Sequence, residues 1–295
     1  MTRREYNRFM RLAPILFLPA LLAAADLKID HVTIAGRDLK PIRAALDAVG
    51  IPTVYGGAHA NSVTEMALAS FPDGSYLEAI TLQPNADPAA VDRHDWARFL
   101  KSYGIPAAWA LQAPDLAGFH TREPLGPAVR GGRVRPDGVK LEWETVNVGP
   151  ETRGTFFPFL IRDLTPRELR AFPSGQPTDR DFRGIARVVI VVRDLDSAIS
   201  RYRSAFGLPA AVRQTDEDFG AVLATLGDFP VVLGRPLDPR SWIGARLAHY
   251  GEGPCAFVLA AAGRAPAGTT LKSRWFGRDI RWFDPARLGW RLGVQ

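Results

Sequence analysis

The sequence predicts an α+β protein built from repeated strand–helix–three-strand (βαβββ) units. Three observations lead to this prediction: a strand that occurs twice and ends in Arg-Asp-Leu, a helical segment after each copy that closes on a glycine, and short alternating strands after each helix. Self-similarity of this kind indicates that each copy is one folding unit. The 295 residues are enough for two domains of ordinary size.

The two strongest copies of the repeat align without a gap. Residues 29–39 read IDHVTIAGRDL, and residues 185–195 read IARVVIVVRDL. In each copy the aspartate is a suitable N-cap for the next helix, and a glycine follows where that helix should end. The predicted helices are 41–49, capped by Asp38, and 197–206, capped by Asp194.

Short alternating runs bounded by turn residues follow each helix and predict three strands per copy. The runs are 53–57, 65–71 and 76–82 in the first copy, and 211–214, 221–226 and 231–233 in the later one. Weaker copies occupy 106–161 and 254–294. Four units therefore pair as two domains, 26–170 and 184–295, and the Pro- and Gly-containing stretch 171–183 is the predicted linker.

The N-terminus has the layout of a secretory signal peptide. Arginines at 3, 4, 8 and 11 precede an apolar run at 12–22, and three alanines at 23–25 offer a cleavage site. The apolar run is too short to span a bilayer. We therefore expect residues 1–25 to be removed and the protein to be exported, to the periplasm or the medium; an uncleaved N-terminal anchor is the alternative.

Composition narrows the class of partner. The net charge is +6 and the pI is about 9.8, but no basic block interleaved with aromatic residues is present, so nucleic acid is not the expected partner. The single cysteine, Cys255, lies in an apolar run and is expected to be a buried hydrophobic residue. The expected partner is a small molecule, and the sequence leaves monomer and homodimer open.

Several segments of the first half resemble the glyoxalase-like domain of the vicinal-oxygen-chelate superfamily. They are 29–34 with 37–39, Gly56-Gly57-Ala58-His59, Tyr76-Leu77-Glu78-Ala79-Ile80, Leu141-Glu142-Trp143 and Phe157-Pro158-Phe159-Leu160-Ile161. The resemblance covers about residues 26–170. It implies that paired units curl into half-open β-barrels, here in two domains, and that each barrel surrounds a site for a small oxygen-bearing molecule.

The same resemblance implies a divalent metal, Zn, Fe, Mn or Ni, and lyase or isomerase chemistry of the glyoxalase type. Carried over residue by residue, His31 is the first-strand ligand and Glu78 the last-strand ligand, and an imidazole with a carboxylate suits these metals. The sequence departs from the pattern elsewhere. Ala108 takes the place of His31 in the second unit and Arg187 does so in the third, so a full ligand set is missing.

Five further residues complete the candidate site. His59 is a candidate third ligand or general base, because its ordinary pKa lies near neutrality. Glu65 is a second candidate catalytic carboxylate. The candidate substrate-binding residues are Trp143, Phe159 and Arg162.

Three functions remain open from the sequence. The first is a metal-dependent lyase or isomerase. The second is a metal-free protein that binds or sequesters a small molecule. The third is a partner-binding protein of the cell envelope, against which an open, aromatic-lined pocket would count. No serine-hydrolase, phosphate-loop, dinucleotide or His-Glu-x-x-His motif is present.

Overall fold

The structure is a computed structural model that describes residues 27–263 and 268–295. The predicted signal peptide, residues 1–25, lies outside the described residues. No helix in the two described ranges is long and apolar enough to span a membrane. The described residues form sixteen strands and seven helices, and the sixteen strands lie in two curled sheets of eight.

The first sheet is a closed barrel in the order β1-β4-β3-β2-β6-β7-β8-β5. Its strands are β1 (Ile29–Gly36), β2 (Val54–His59), β3 (Thr64–Ser70), β4 (Tyr76–Leu82), β5 (Tyr103–Gln112), β6 (Val129–Val134), β7 (Lys140–Asn147) and β8 (Phe159–Asp163). The helices of this half are α1 (Leu39–Asp47), α2 (Pro88–Arg93), α3 (Ala97–Leu100) and α4 (Arg167–Ala171). We expected a half-open barrel, and the barrel closes because β2 pairs with β6 through Ala58↔Val134 and His59↔Arg133.

The second sheet has the order β10-β11-β12-β9-β13-β16-β15-β14 and stays open. Its strands are β9 (Phe182–Val191), β10 (Val212–Asp216), β11 (Ala221–Thr225), β12 (Val231–Pro236), β13 (Gly253–Ala261), β14 (Thr269–Trp275), β15 (Arg278–Phe283) and β16 (Arg291–Val294). Its helices are α5 (Leu195–Phe206), α6 (Trp242–Tyr250) and α7 (Pro285–Leu288). The α+β class and the two curled sheets are confirmed.

The first and third units follow the predicted order of strand, helix and three strands. Asp38 and Asp194 both cap their helices, and the left-handed Gly207 ends α5. In the second unit the segment between β5 and β6 forms no helix, because three prolines and two glycines fall within residues 114–127. The short helices α2 and α3 precede β5 instead.

The two sheets share one hydrophobic core. Val32 and Ile34 on the outer face of β1 belong to the same buried cluster as Val188 and Ile190 on β9. Because side chains alternate along a strand, the residues between them face the interior of each sheet. The division into domains at 171–183 stays a prediction.

Candidate active site

The first barrel contains an open cavity of about 720 Å³. Aromatic side chains form much of its wall, namely Tyr76, Trp96, Trp143 and Phe159. The strands that line it bring alternate residues inward, so its polar groups come from several different strands. An open aromatic cavity of this size is typical of a small-molecule site, and it counts against a purely structural role in the envelope.

His31 and Glu78 face each other at the floor of this cavity. β1 and β4 are parallel neighbours, and their register places Thr33 opposite Glu78. His31 Nε2 lies 3.8 Å from Glu78 Oε2, and the Thr33 hydroxyl donates to the same oxygen at 2.9 Å. His31 is 4% exposed and Glu78 5%, so both are removed from bulk water.

His59 reaches the same carboxylate from the end of β2. Its Nε2 lies 3.8 Å from Glu78 Oε1, its Nδ1 lies 2.9 Å from Thr64 Oγ1, and its ring packs edge-on against Trp143. Burial lowers the pKa of His59 to about 4; Glu78 opposes the shift, and Arg133 and Arg153 add to it. The imidazole is therefore neutral at physiological pH, and the three predicted residues converge on one point.

A buried ion-pair network holds His31 from behind. His31 Nδ1 lies 2.6 Å from Asp30 Oδ1, and Arg170 donates to both oxygens of Asp30 at 3.0 and 2.8 Å. Burial alone raises the pKa of Asp30, but Arg170, His31 and Arg167 hold it well below its ordinary value. An ionised Asp30 fixes the proton of His31 on Nδ1, so Nε2 is the atom presented to the cavity.

The structure does not bring Glu65 and Arg162 to this cavity. Strand alternation turns Thr64 and Met66 inward and Glu65 outward, where Glu65 accepts a hydrogen bond of 2.7 Å from Tyr55. Arg162 is turned away from the interior of β8 and pairs with Glu144. The other two predicted binding residues, Trp143 and Phe159, do line the cavity.

The interior of the second sheet is filled by aromatic side chains. Phe219 packs edge-on against Trp275 with ring centroids 4.8 Å apart, and Trp282 lies 5.2 Å from Trp275. Arg187 lies two residues before the inward-facing Val189, on the same face of β9, and so takes the place that His31 has in the first sheet. Among its described residues, the second sheet therefore offers no counterpart of the His31–Glu78 site.

Comparison with known proteins places the chain in a family. Residues 29–206, more than half of the chain, match the sequence profile of a glyoxalase-like domain. The chain belongs to this family. The resemblance to a glyoxalase-like domain read from the sequence is confirmed, and the match extends beyond residue 170 into α5.

Solved structures share the glyoxalase-like fold at low sequence identity. A hypothetical protein from Staphylococcus aureus is 14% identical, with 91% of this chain and 99% of that chain covered and a TM-score of 0.62. A mutant of 4-hydroxymandelate synthase from Streptomyces coelicolor is 14% identical, with 90% and 91% covered and a TM-score of 0.52. Methylmalonyl-CoA epimerase from Mycobacterium tuberculosis matches 40% of this chain and 90% of its own, at 22% identity and a TM-score of 0.34.

The first two of these structural matches establish the fold alone. A comparison with curated protein sequences found no match. The chemistry of this glyoxalase-like chain is therefore inferred from its own residues.

The three converging side chains suit a divalent metal in chemistry but not in spacing. Two ligands of one tetrahedral zinc ion lie about 3.4 Å apart, whereas both histidine nitrogens lie 3.8 Å from Glu78. Within the described residues, no group of three or more His, Cys, Asp or Glu side chains has metal-holding geometry. The second unit has Ala108 in the place of His31, and its last strand turns Phe159 and Ile161 to this region, so the metal that the family implies lacks half of its expected ligands.

Several residues of the site were not predicted from the sequence. Arg133 and Arg153 line the cavity, and Arg170 closes it from behind. One sequence signal was available for Asp30, because a carboxylate within an apolar strand needs a buried cationic partner. The arginines carry no such signal, since nothing in their neighbourhoods shows that the fold brings them to β1.

Proposed function

We propose that the first barrel is an active site that binds a small carbonyl compound and moves a proton on the carbon next to the carbonyl. Such a step is shared by isomerases and lyases. The observation that carries the proposal is the buried carboxylate of Glu78 between two imidazoles at the floor of an open aromatic cavity. Convergence of these groups from three strands is costly unless the site uses them.

Glu78 is the proposed general base. Thr33 donates to its Oε2 and fixes the plane of the carboxylate. Its Oε1 receives no hydrogen bond from any described residue and faces the cavity. This oxygen is therefore available to take a proton from a bound molecule, provided that the C–H group lies within about 3 Å.

His59 is the proposed group that stabilises the developing oxyanion. Thr64 Oγ1 lies 2.9 Å from His59 Nδ1 and 3.4 Å from Asn61 Oδ1, so we assign the threonine proton to the closer acceptor, His59 Nδ1. This assignment puts the His59 proton on Nε2, beside Glu78. A neutral imidazole that donates from a fixed position stabilises charge without giving up a full proton.

His31 is the proposed positioning residue on the other side of Glu78. Its ring stacks on Tyr76 with centroids 4.9 Å apart, and Asp30 holds its Nδ1. With its proton on Nδ1, His31 presents Nε2 beside Glu78 Oε2, where it accepts a hydrogen bond from a bound molecule and holds that molecule next to the carboxylate. The ring cannot turn without losing both contacts.

Deuterium exchange from D2O tests the proposal. A panel of small aldehydes, ketones and 2-oxo acids with an exchangeable C–H is followed by proton NMR with the wild type, Glu78→Gln and Glu65→Gln. We expect exchange in the wild type and in Glu65→Gln, and a loss of about 10²–10⁴-fold in Glu78→Gln. Equal rates in all three proteins refute the role of Glu78. Binding without exchange supports the metal-free sequestering function instead.

A divalent metal at His31, Glu78 and His59 is the second candidate. One observation favours it: Asp30 and Thr64 engage the Nδ1 atoms of both histidines, which leaves both Nε2 atoms directed at Glu78. Metal analysis after reconstitution with Zn, Fe, Mn or Ni tests it. Stoichiometric metal that is lost in His31→Ala and Glu78→Ala but kept in Glu65→Ala supports this candidate; absence of stoichiometric metal rejects it.

Export is part of the proposal and rests on the N-terminal sequence pattern alone. A mature N-terminus at Asp26 in a periplasmic or culture fraction supports it. An intact Met1 in the cytoplasmic fraction rejects it.

A further inference from the structure

Arg153 presents a guanidinium to the cavity that no described residue satisfies. It lines the cavity, and its side chain donates no hydrogen bond to any residue in the described ranges. Its one ion pair is loose, with Nε 3.4 Å from Asp95 Oδ2. Its Nε is buried without a hydrogen-bond partner, whereas the side chain as a whole is 28% exposed, so its terminal donors open onto the cavity and are free for a ligand.

The position of Arg153 is fixed by aromatic contacts. Trp96 Nε1 donates to the backbone carbonyl of Arg153 at 2.9 Å. The guanidinium carbon lies 5.0 Å from the ring centre of Trp96 and 5.4 Å from that of Phe159. Cation–π contacts of this kind hold the planar group in place without using its hydrogen-bond donors. The donors remain free for a ligand.

The backbone next to Arg153 fills the side of the site where the second unit lacks a ligand. Gly154 has a positive φ of 69°, and a Cβ built on it would lie 2.9 Å from the Cβ of Ala108. The Gly154 carbonyl accepts a hydrogen bond of 3.0 Å from Trp109 N. Ala108, in the place that His31 has in the first unit, therefore makes room for a loop that delivers an arginine.

Positive charge is undercompensated on this side of the cavity. Arg133 is 3% exposed, and its side chain donates hydrogen bonds to the backbone carbonyls of Gly56 and Arg170. Burial lowers the pKa of both Arg133 and Arg153, and nearby anionic groups do not restore it. The cavity therefore favours a ligand that brings a negative charge.

We propose that the ligand of this cavity is a small carboxylate whose anionic group is bound by Arg153 and whose apolar or aromatic body packs on Trp143 and Phe159. A carboxylate fits better than a phosphate because, of the two arginines on this side, Arg153 has its terminal donors free while Arg133 is engaged by two carbonyls. This inference names the substrate class of the proposed active site and rests on the proposal that the cavity binds a small molecule. It does not depend on whether Glu78 moves a proton.

Calorimetry with benzoate, benzamide and phenyl phosphate tests the inference. The three probes share an aromatic ring and differ in their charged group. We expect the wild type to prefer benzoate to benzamide by about tenfold or more, as charge-assisted hydrogen bonds typically require. Arg153→Gln is expected to bind the two with equal affinity, whereas Arg162→Gln, the matched control outside the cavity, keeps the preference. Arg153→Lys keeps the charge but loses the paired donors, so its preference should fall while benzamide affinity stays unchanged.

Three results overturn the inference: equal affinity for benzoate and benzamide in the wild type, no binding of either, or an unchanged preference in both Arg153 variants. Tighter binding of phenyl phosphate than of benzoate overturns the choice of a carboxylate. Glu78→Gln separates this inference from the proposed function. It should lose deuterium exchange but bind benzoate at least as well as the wild type, because it removes a negative charge from the cavity.

Discussion

Replacement of Asp30 by asparagine is expected to destabilise the protein by about 3 kcal/mol at neutral pH. The Asp30 and Arg170 side chains are 1% and 2% exposed, and two hydrogen bonds of 2.8 and 3.0 Å join them. Breaking a buried pair typically costs about 3–5 kcal/mol. The lower figure applies because Arg170 also pairs with Asp163 and keeps that partner. For a chain of this size the melting temperature should fall by roughly 6–12 °C.

Thermal unfolding of Asp30→Asn and of a surface control measures this cost. Asp92 is 68% exposed and pairs with Lys101, which is 62% exposed, so Asp92→Asn should cost less than about 1 kcal/mol. The folded-state pKa of Asp30 is depressed, so its contribution is fully present above its unfolded pKa of about 3.9. The gap between wild type and Asp30→Asn should therefore narrow as the pH falls from 4 towards 2. A gap at pH 7 no larger than that of Asp92→Asn would refute the account of the network.

The remaining predictions concern a histidine, a glycine and a cysteine. The His59 ring should stay neutral down to a pH of about 4 in an NMR titration, so the folded protein loses stability as the pH falls from about 6.5 to 4. Arg153→Gln should raise the pKa of His59. A titration midpoint near 6.5 in the wild type would contradict the buried site. Gly154→Ala should lower the melting temperature more than Gly175→Ala, because both have positive φ but only Gly154 is crowded; equal shifts would show that the loop does not pack on β5. Burial raises the pKa of Cys255 to about 12, so a thiol reagent should label it only after unfolding, and rapid labelling of the native protein would contradict this placement.

The repeated units were predictable from the sequence, because they depend on local patterns: alternation along β1 and β4, an aspartate cap before each helix, and a turn at residues 72–74. β4 was predicted with the bounds that the structure has, and these features need no information from distant parts of the chain. The choice of His31 and Glu78 followed instead from the resemblance to the glyoxalase-like domain, and β1 and β4 bring the two residues together as parallel neighbours.

The outward position of Glu65 could not be predicted from its strand pattern. The sequence predicts that Glu65 starts a strand, and in the structure β3 begins at Thr64 and turns Thr64 and Met66 inward. Successive side chains face opposite sides of a strand, so Glu65 points out of the cavity. Apolar residues occur on both faces of β3, because its outer face packs in the protein core. The pattern therefore did not show which face was the cavity.

The arginines of the site could not be predicted from local sequence patterns. Arg170 is 140 residues from Asp30 along the chain, and only the closed barrel brings the two together. Strand β6, which closes the barrel, reads VRGGRV and lacks the apolar alternation that identifies a strand. Arg153 lies in an irregular loop whose path depends on a close approach between Gly154 and Ala108. Each of these features is a consequence of tertiary structure.

A double-mutant cycle on the deuterium-exchange rate tests the central claim most directly, namely that His59 and Glu78 form one site. The rate would be measured for the wild type, His59→Gln, Glu78→Gln and the double variant, with the best compound of the carbonyl panel. Residues that act as a unit lose their contribution together. We predict that the double variant is about as slow as Glu78→Gln alone. Losses that multiply, so that each residue acts independently of the other, would contradict a shared active site on the floor of the first barrel.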